Sequence, residues 1–244
     1  MTKTVYWAPV ISGSDWPLVS ELKFYEPERL IKRIDPVDFF GPHTAKCPAM
    51  VDELKNTFAL KSPLDLHIDY GEGFRNPKCF NNYEPDFLNQ IITQPNPHRI
   101  FQLSYAQILL FSEDELTMTQ LHPYYEDTPF TNDVMGVSGT VDISSWIRPV
   151  QPGFKFKKNR HTINIADGEA VAYYRFNTTE PVILKRFDAK GLYSDRTSVL
   201  QSCLAFKDHK PSSHTYSLKA SYDAFRRARF HKKTMKYIND NLLD

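Results

Sequence analysis

The sequence predicts a β-rich α+β fold, with an antiparallel β-sandwich or jelly-roll-like core and a long C-terminal helix. Several segments alternate apolar and polar residues as half-buried strands do, most clearly LDLHIDY at 64–70. The chain holds 17 prolines against 9 glycines, and 14% of its residues are aromatic, a combination typical of strands with stiff connections. Only the C-terminal region, residues 217–243, shows clear helical periodicity over many turns.

The length of 244 residues suits one large domain or two small ones, and we expect a single domain, residues 1–244. We expect a β-rich body over about 1–190 and a helical part over about 196–243. Three cysteines, none in a C-x-x-C pair, suit free thiols better than a disulfide framework. A net charge of +1 and the absence of a long apolar run favour neither a polyanion-binding chain nor a membrane protein.

The first half of the chain predicts strands around one short helix. CPAMVDELKN at 47–56 has Pro48 at a favourable first helical position. Residues 71–99 are rich in turn-forming types and predict a long ordered loop with at most one short strand or helix. The extended segments predicted here are TVYWAPV (4–10), TFALKS (57–62) and LDLHIDY (64–70).

The centre, about 100–187, predicts an antiparallel run of strands. Asp167-Gly168 is a favoured pair for a tight hairpin turn, with alternating residues on both sides. Residues 100–111 predict one buried strand, and 115–125 can pair with it. The remaining predicted strands are the bent VMGVSGTVDISSW (134–146) and EPVILKRF (180–187).

Several aromatic residues are candidates for a ligand groove, although such residues more often fill a core. Neighbouring Tyr173 and Tyr174 point to opposite faces of a strand, so we expect at least one of them outside. The full candidate set is Trp7, Trp16, Trp146, Tyr124, Tyr125, Tyr173 and Tyr174.

A His-x-Asp pair in LDLHIDY is the one arrangement that suggests a metal. His67 and Asp69 share a strand face, and with a distal histidine they would complete a non-haem iron site. The candidates for that histidine are His98, His122 and His161, of which we select His161. An oxoglutarate-dependent oxygenase also needs a basic residue about ten positions past the distal histidine, where valine stands here. The simpler interpretation is the solvated face of a half-buried strand, so we expect no cofactor, with iron as the alternative.

Cys47 precedes a predicted helix, whose N-terminus can lower a thiol pKa, and His43 lies nearby. No nucleophile signature surrounds this cysteine, so we favour a small buried, inert thiol that closes the start of the helix. Motifs for nucleotide binding, hydride transfer and common hydrolases are absent from the sequence.

The C-terminal region predicts a helix over 217–243 and a further helical segment over 196–207. Seven Lys and Arg residues against one Asp give the segment from Lys219 to Lys236 a charge of +6. Such a stripe can bind nucleic acid or an acidic partner, or can simply be the solvated face of the helix. Its members on one face are Arg226, Arg229, Lys233 and Lys236, and the apolar stripe of the same helix consists of Phe225, Ala228, Met235, Ile238 and Leu242.

Two blocks of sequence resemble an uncharacterised protein family of T4-like tailed phages, cyanophages especially, with distant bacterial relatives. The first is KCPAMVDELKNTFALKSPLDLHI (46–68), with its Cys-Pro-Ala, Asn-x-Phe and Ser-Pro-x-Asp elements. The second is WIRPVQPGFKFKKNRHTINIADGEAVAYYRF (146–176). The resemblance implies a phage origin and a β-sandwich-like body, and it brings no established activity or catalytic residue.

The sequence therefore favours a phage-encoded, non-enzymatic protein, either virion-associated or protein-binding. Its partner would be a protein, such as another copy or a virion protein, with nucleic acid possible at the basic stripe and no membrane. The N-terminus lacks a signal-peptide pattern, so we expect the virion or the host cytoplasm. The alternatives are a jelly-roll Fe(II)/2-oxoglutarate-type oxygenase and an intracellular effector that binds a host protein or a small molecule.

Overall fold

Strands dominate the computed structural model of the chain, in agreement with the predicted β-rich α+β class. The structure describes residues 2–9, 24–44, 46–74, 77–93, 95–106, 108–145, 150–189 and 230–243. The strands are β1 Lys3–Pro9, β2 Glu28–Arg29, β3 Thr57–Lys61, β4 Leu66–Asp69, β5 Lys78–Cys79, β6 Ile100–Gln102, β7 Ile108–Phe111, β8 Thr117–Leu121, β9 Val134–Gly136, β10 Gly139–Asp142, β11 Gly153–Phe156, β12 Thr162–Ile165, β13 Ala170–Phe176 and β14 Val182–Arg186.

Short helices connect these strands, and several begin at a proline, whose fixed φ suits the first helical turn. The second one contains a break at Gly41, which has φ 76°. The helices are α1 Leu30–Arg33, α2 Pro36–Thr44, α3 Pro48–Lys55, α4 Pro85–Ile91, α5 Pro129–Asp133 and α6 Phe230–Asp240, with a 3₁₀ turn at Ser104–Ala106.

Four sheets organise the described strands. The largest has five strands in the order β10-β8-β13-β3-β2, and the others have three each: β14-β1-β7, β6-β11-β9 and β12-β4-β5. Every ladder between these strands is antiparallel except β1–β14, which is parallel. The expectation of a purely antiparallel centre is therefore wrong for β14.

One large apolar core joins all four sheets. It contains Trp7 of β1, Ile68 of β4, Phe154 of β11 and Tyr174 of β13, each at most 1% exposed. Burial of large aromatic side chains of this kind contributes a major part of the hydrophobic free energy of folding.

A smaller cluster covers the other face of the five-stranded sheet. Leu30 of α1 and Leu54 of α3 pack there against Ala59 and Tyr173. Both Tyr173 and Tyr174 are therefore buried, at 0% and 1% exposure, and the expectation that one lies outside is wrong. The two side chains do point to opposite faces of the strand, as predicted. Both faces of this sheet are covered by other parts of the protein, so neither side chain reaches solvent.

Two predicted single strands are each divided between sheets. Residues 100–111 form β6 and β7, separated by the 3₁₀ turn, and residues 134–146 contain β9 and β10. In both cases the two pieces pair in different sheets. β8 pairs with β10 and β13, so the predicted pairing of 115–125 with 100–111 is also wrong. A continuous apolar run has no period that would reveal such a break.

The Asp167-Gly168 pair forms a turn, with Gly168 at φ 79°, but the strands beside it do not form a hairpin. β12 pairs with β4, whereas β13 pairs with β3 and β8. Residues 57–69 and 162–176 run antiparallel to each other, and the bends in the two segments lie opposite one another. The N–H of Gly168 donates to the Ser62 carbonyl at 2.8 Å, which ties the two bends together.

The loop predicted over 71–99 contains both a strand, β5, and a helix, α4, one element more than expected. At the C-terminus, the described part of the predicted long helix is α6, in which Met235 and Ile238 are buried as the apolar stripe predicts. The predicted helix at 196–207 and the residues 217–229 lie outside the described residues.

Candidate functional site

The alternation of LDLHIDY is confirmed. Leu66, Ile68 and Tyr70 are buried, whereas His67 and Asp69 are half-buried on the opposite face of β4. This side of the strand has the polar character expected of a partly solvated face.

The structure brings Asp69 and His161, two residues of the predicted metal set, into direct contact. Asp69 Oδ1 lies 2.8 Å from His161 Nδ1, because the residue after His161 pairs with Asp69 in the β4–β12 ladder. The N–H of Gly71 donates to the same carboxylate at 2.8 Å. The Gly71 hydrogen bond, together with His161, holds the pKa of Asp69 below its ordinary value.

The third member of the predicted set takes a different position. The His67 ring packs on Phe80, with 4.5 Å between ring centroids. His122 accepts a hydrogen bond at Nδ1 from the Gly136 N–H at 3.1 Å. Within the described ranges no group of three His, Cys, Asp or Glu side chains is arranged to hold a metal ion.

Cys47 lies directly before α3 and is exposed, so a buried inert thiol is not what the structure has at this position. Of the other cysteines, Cys79 is a half-buried free thiol in β5, and Cys203 is outside the described residues.

The basic stripe is described only in part. Arg226 and Arg229 lie outside the described residues. Lys233 lies in α6, where the structure describes its backbone only. Lys236 is exposed on that helix. Binding of nucleic acid or of an acidic partner by this stripe stays a prediction.

A pocket between α1, α2 and the loop after β8 carries a more distinctive chemistry. Its volume is about 570 Å³, within the range of small-ligand sites. We call it the aromatic pocket; its lining residues are Arg33, Ile34, Asp35, Phe39, Tyr125 and Glu126.

Two perpendicular rings form one side of the aromatic pocket. Phe39 and Tyr125 meet at 81° with 5.3 Å between their centroids. Tyr124 extends this cluster, 4.4 Å from the Tyr125 ring and 5.5 Å from the Tyr173 ring. Edge-to-face contacts of this kind fix ring orientation.

A charged pair forms the base of the same pocket. Arg33 donates through Nε and a terminal nitrogen to the two oxygens of Glu126, at 2.6 and 2.9 Å. The hydroxyl of Tyr173 donates to Glu126 at 3.0 Å. Hydrogen bonding to Glu126 raises the pKa of Arg33, and burial beside this carboxylate raises the pKa of Tyr173. The pair is thus a fixed support for the aromatic rings.

A second carboxylate links α3 to the aromatic cluster. Glu53 accepts from the Tyr124 hydroxyl and from Arg175, each at 2.7 Å. Tyr124 is nevertheless 43% exposed, although its hydroxyl is hydrogen-bonded.

Exposed apolar side chains are frequent on the helices and the loop near this pocket. Among the described residues, ten large apolar side chains are exposed, and five of them lie on α1–α3 or beside β8. Concentrations of this kind are typical of binding surfaces, whereas single exposed apolar residues are ordinary. We call these five the helical patch: Ile31, Val37, Phe39, Val51 and Tyr124.

The sequence reveals part of this site. Tyr124, Tyr125 and Tyr173 are among the predicted groove residues, whereas no sequence pattern points to Phe39, Arg33 or Glu126. The segment that contains Arg33 and Phe39 has no readable period, and the Arg33–Glu126 pair joins residues 93 positions apart. The Tyr-Tyr-Glu sequence at 124–126 was the only local signal.

Comparison with known proteins finds no matching family model, no matching curated protein and no matching solved structure. Within the described ranges, no helix has the length and apolar character to span a membrane.

Proposed function

We propose that this chain is a phage-encoded protein-binding protein whose partner docks on the helical patch. The observation that carries the proposal is that five of the ten exposed large apolar side chains among the described residues lie on α1–α3 or beside β8, and that one of them, Phe39, lines the aromatic pocket. Interface cores are enriched in aromatic residues and arginine, and the pocket presents both.

The state of the charged groups also favours binding over catalysis at this place. Glu126 is engaged by Arg33 and Tyr173, and Glu53 by Arg175 and Tyr124. A general acid or base needs access to the reacting proton. Carboxylates that are already held by guanidinium and hydroxyl groups offer little such access, and they suit a rigid recognition surface.

The phage origin rests on the resemblance of residues 46–68 and 146–176 to a phage family. The sandwich-like body that it implies is supported by one core shared among four sheets. The protein is then either a virion component or an effector in the infected cell. Mass spectrometry of density-purified virions against infected-cell lysate separates the two: stoichiometric presence in particles supports a virion role, and abundance only in lysate supports an effector.

Site-specific photocross-linking tests the docking surface itself. A benzoylphenylalanine at Phe39, which is 54% exposed, is expected to give a discrete adduct in infected cells. The matched control is the same replacement at Phe80, which is 56% exposed but lies on the β4–β5 side. Equal adduct patterns from both positions, or no adduct from Phe39, would contradict docking on the helical patch.

A further inference from the structure

A second pocket lies between the edges of two sheets. Among the described strands, β2 stands at one edge of the five-stranded sheet, and β14 stands at one edge of the β14-β1-β7 sheet. We call the space beside them the edge pocket; its volume is about 660 Å³, and its lining includes Arg29 of β2, Phe58 of β3, and Ile183 and Leu184 of β14. The edge pocket shares no residue with the helical patch.

The backbone of β14 turns every second residue toward the open side of the strand. Pro181 and Phe187 hydrogen-bond to β1 at 2.9 and 3.1 Å, and the parallel register between them is unbroken. In such a ladder, alternate residues direct their N–H and C=O groups to opposite sides of the strand. The backbone groups of Val182, Leu184 and Arg186 therefore point away from β1.

Of these three outward positions, the two outer ones are already occupied. Val182 is bound at its N–H and at its carbonyl, the carbonyl by Arg29, and the Arg186 carbonyl accepts from the N–H of Leu243 at 3.0 Å. No group among the described residues bonds to the outward N–H and C=O of Leu184. An incoming strand can therefore pair at Leu184 alone, and it cannot continue past Arg29.

Arg29 is held in place with donors to spare. Its guanidinium lies 5.6 Å from the centroid of the Phe58 ring and donates through one terminal nitrogen to the Val182 carbonyl. A guanidinium carries five N–H donors, and a single carbonyl occupies one of them, so a pair of parallel donors remains for a carboxylate. No acidic side chain among the described residues pairs with Arg29.

The charges of the lining also favour an anion. Three cations, Arg29, Lys32 and Lys61, face two carboxylates, Glu26 and Glu28, so the formal charge is +1. Lys61 and Glu28 form an ion pair at 2.7 Å. Arg29 and Lys32 then stand against Glu26 alone, and a negative ligand finds a favourable potential.

We propose that the edge pocket receives the C-terminal residue of a partner protein chain. The next-to-last residue pairs antiparallel with Leu184, which directs the end of the partner chain toward Arg29, and Arg29 binds the terminal carboxylate. The last side chain then lies beside Ile183, which is 47% exposed, so an apolar residue fits there. An internal Asp or Glu is disfavoured, because the chain after it would need the occupied groups of Val182. This inference concerns a surface other than the helical patch and goes beyond the proposed function.

An array of random peptides attached through their N-termini, each made as the free C-terminal acid and as the C-terminal amide, tests the proposal when probed with the labelled full chain. We expect bound peptides to end in an apolar residue and the amide form to bind about 10- to 100-fold more weakly. An ester in place of the next-to-last N–H removes the donor to Leu184 and should weaken binding about 2- to 10-fold.

Lys32→Gln removes an exposed cation of the pocket without changing the bonds of Arg29, and it should weaken binding of the free acids about 2- to 5-fold. The matched control is Lys158→Gln, which removes an exposed lysine outside the pocket and should leave binding unchanged. Arg29→Lys keeps the charge but lacks the paired donors. This variant, checked for folding by circular dichroism, should lose most of the preference for the acid over the amide.

Equal binding of acids and amides, or no bound peptide at all, would overturn the inference. Binding that is lost with Phe39→Ala but unaffected by Lys32→Gln would also overturn it, while supporting the docking surface on the helical patch.

Discussion

Asn56 is a buried polar side chain that fixes the connection between β13 and β14. Its amide nitrogen donates to the carbonyls of Thr178 and Glu180 at 2.9 and 2.7 Å, and its oxygen accepts from the N–H of Val182 at 3.2 Å. At 3% exposure, water cannot replace these partners easily. This one residue therefore sets where β14 begins.

Replacement of Asn56 by alanine is expected to lower the free energy of unfolding by about 2–4 kcal/mol, since it removes three hydrogen bonds and leaves buried backbone groups unpaired. Urea denaturation of both variants measures it. The matched control is Asn177→Ala, because Asn177 makes its side-chain hydrogen bonds on the exposed surface. A loss for Asn56→Ala no larger than that for the control would contradict the assigned role.

His122 predicts a dependence of stability on pH. Burial, together with the charge of Lys157, lowers its pKa below the ordinary value of 6.5. The unfolded chain therefore binds a proton at this residue before the folded chain does. The stabilisation is complete above about pH 6.5 and is lost as the pH falls through the folded-state pKa.

Asparagine at position 122 keeps an acceptor for the Gly136 N–H but does not titrate. We expect the free energy of unfolding to fall less for the His122→Asn variant than for the parent protein when the pH is lowered from 7.5 to 5.5. These two values bracket the ordinary histidine pKa. Urea denaturation at the two pH values measures the difference. Parallel losses in the two proteins would show that His122 carries no part of this pH dependence.

At the residue scale, the sequence predicts the chemical character of a position better than it predicts which distant residues contact that position. The polar face of LDLHIDY was predicted correctly, and Asp69 does meet His161. Phe39 could not be identified, because its partner Tyr125 is brought to it by the fold. Pairs of this kind are invisible to any local pattern.

At the scale of elements, the chain predicts where strands run far better than how they pair. β1, β3 and β4 follow from alternation and from prolines, and α3 follows from Pro48. The ladders depend on contacts between distant segments, such as 57–69 with 162–176. The Asp167-Gly168 pair predicts a bend in the chain. Which strands pair beside that bend depends instead on the burial of both faces of the sheet.

The two apolar clusters predict that the helical layer can loosen separately from the core. Leu54 of α3 is 1% exposed in the small cluster, and Leu66 of β4 is 0% exposed in the large one. Truncation of either leucine to alanine should cost about 2–5 kcal/mol, as for other buried leucines. We expect Leu54→Ala to speed amide hydrogen exchange mainly in α1 and α3.

Leu66→Ala is the matched control, and it should speed exchange in strands of all four sheets. Exchange measured by mass spectrometry distinguishes the two patterns. Identical, chain-wide effects of the two substitutions would show that the small cluster is not a separate unit of stability.

At the scale of the whole molecule, the shared core predicts one cooperative unfolding transition. Its members come from all four sheets, so no sheet can separate without exposing apolar surface of the others. Scanning calorimetry should give a single peak whose calorimetric enthalpy equals the van't Hoff enthalpy. Two resolved peaks would contradict the prediction of a single domain over 1–244.

The parallel pairing of β1 with β14 has a consequence for how the protein is made. A ribosome releases β1 long before residues 182–186 exist, a wait on the order of ten seconds or more at ~5–20 residues per second. Until then β1 can pair with β7 alone, and its other side presents unpaired backbone donors and acceptors to neighbouring nascent chains. An unpaired edge of β1 therefore favours aggregation during translation, and pairing with β14 removes that edge.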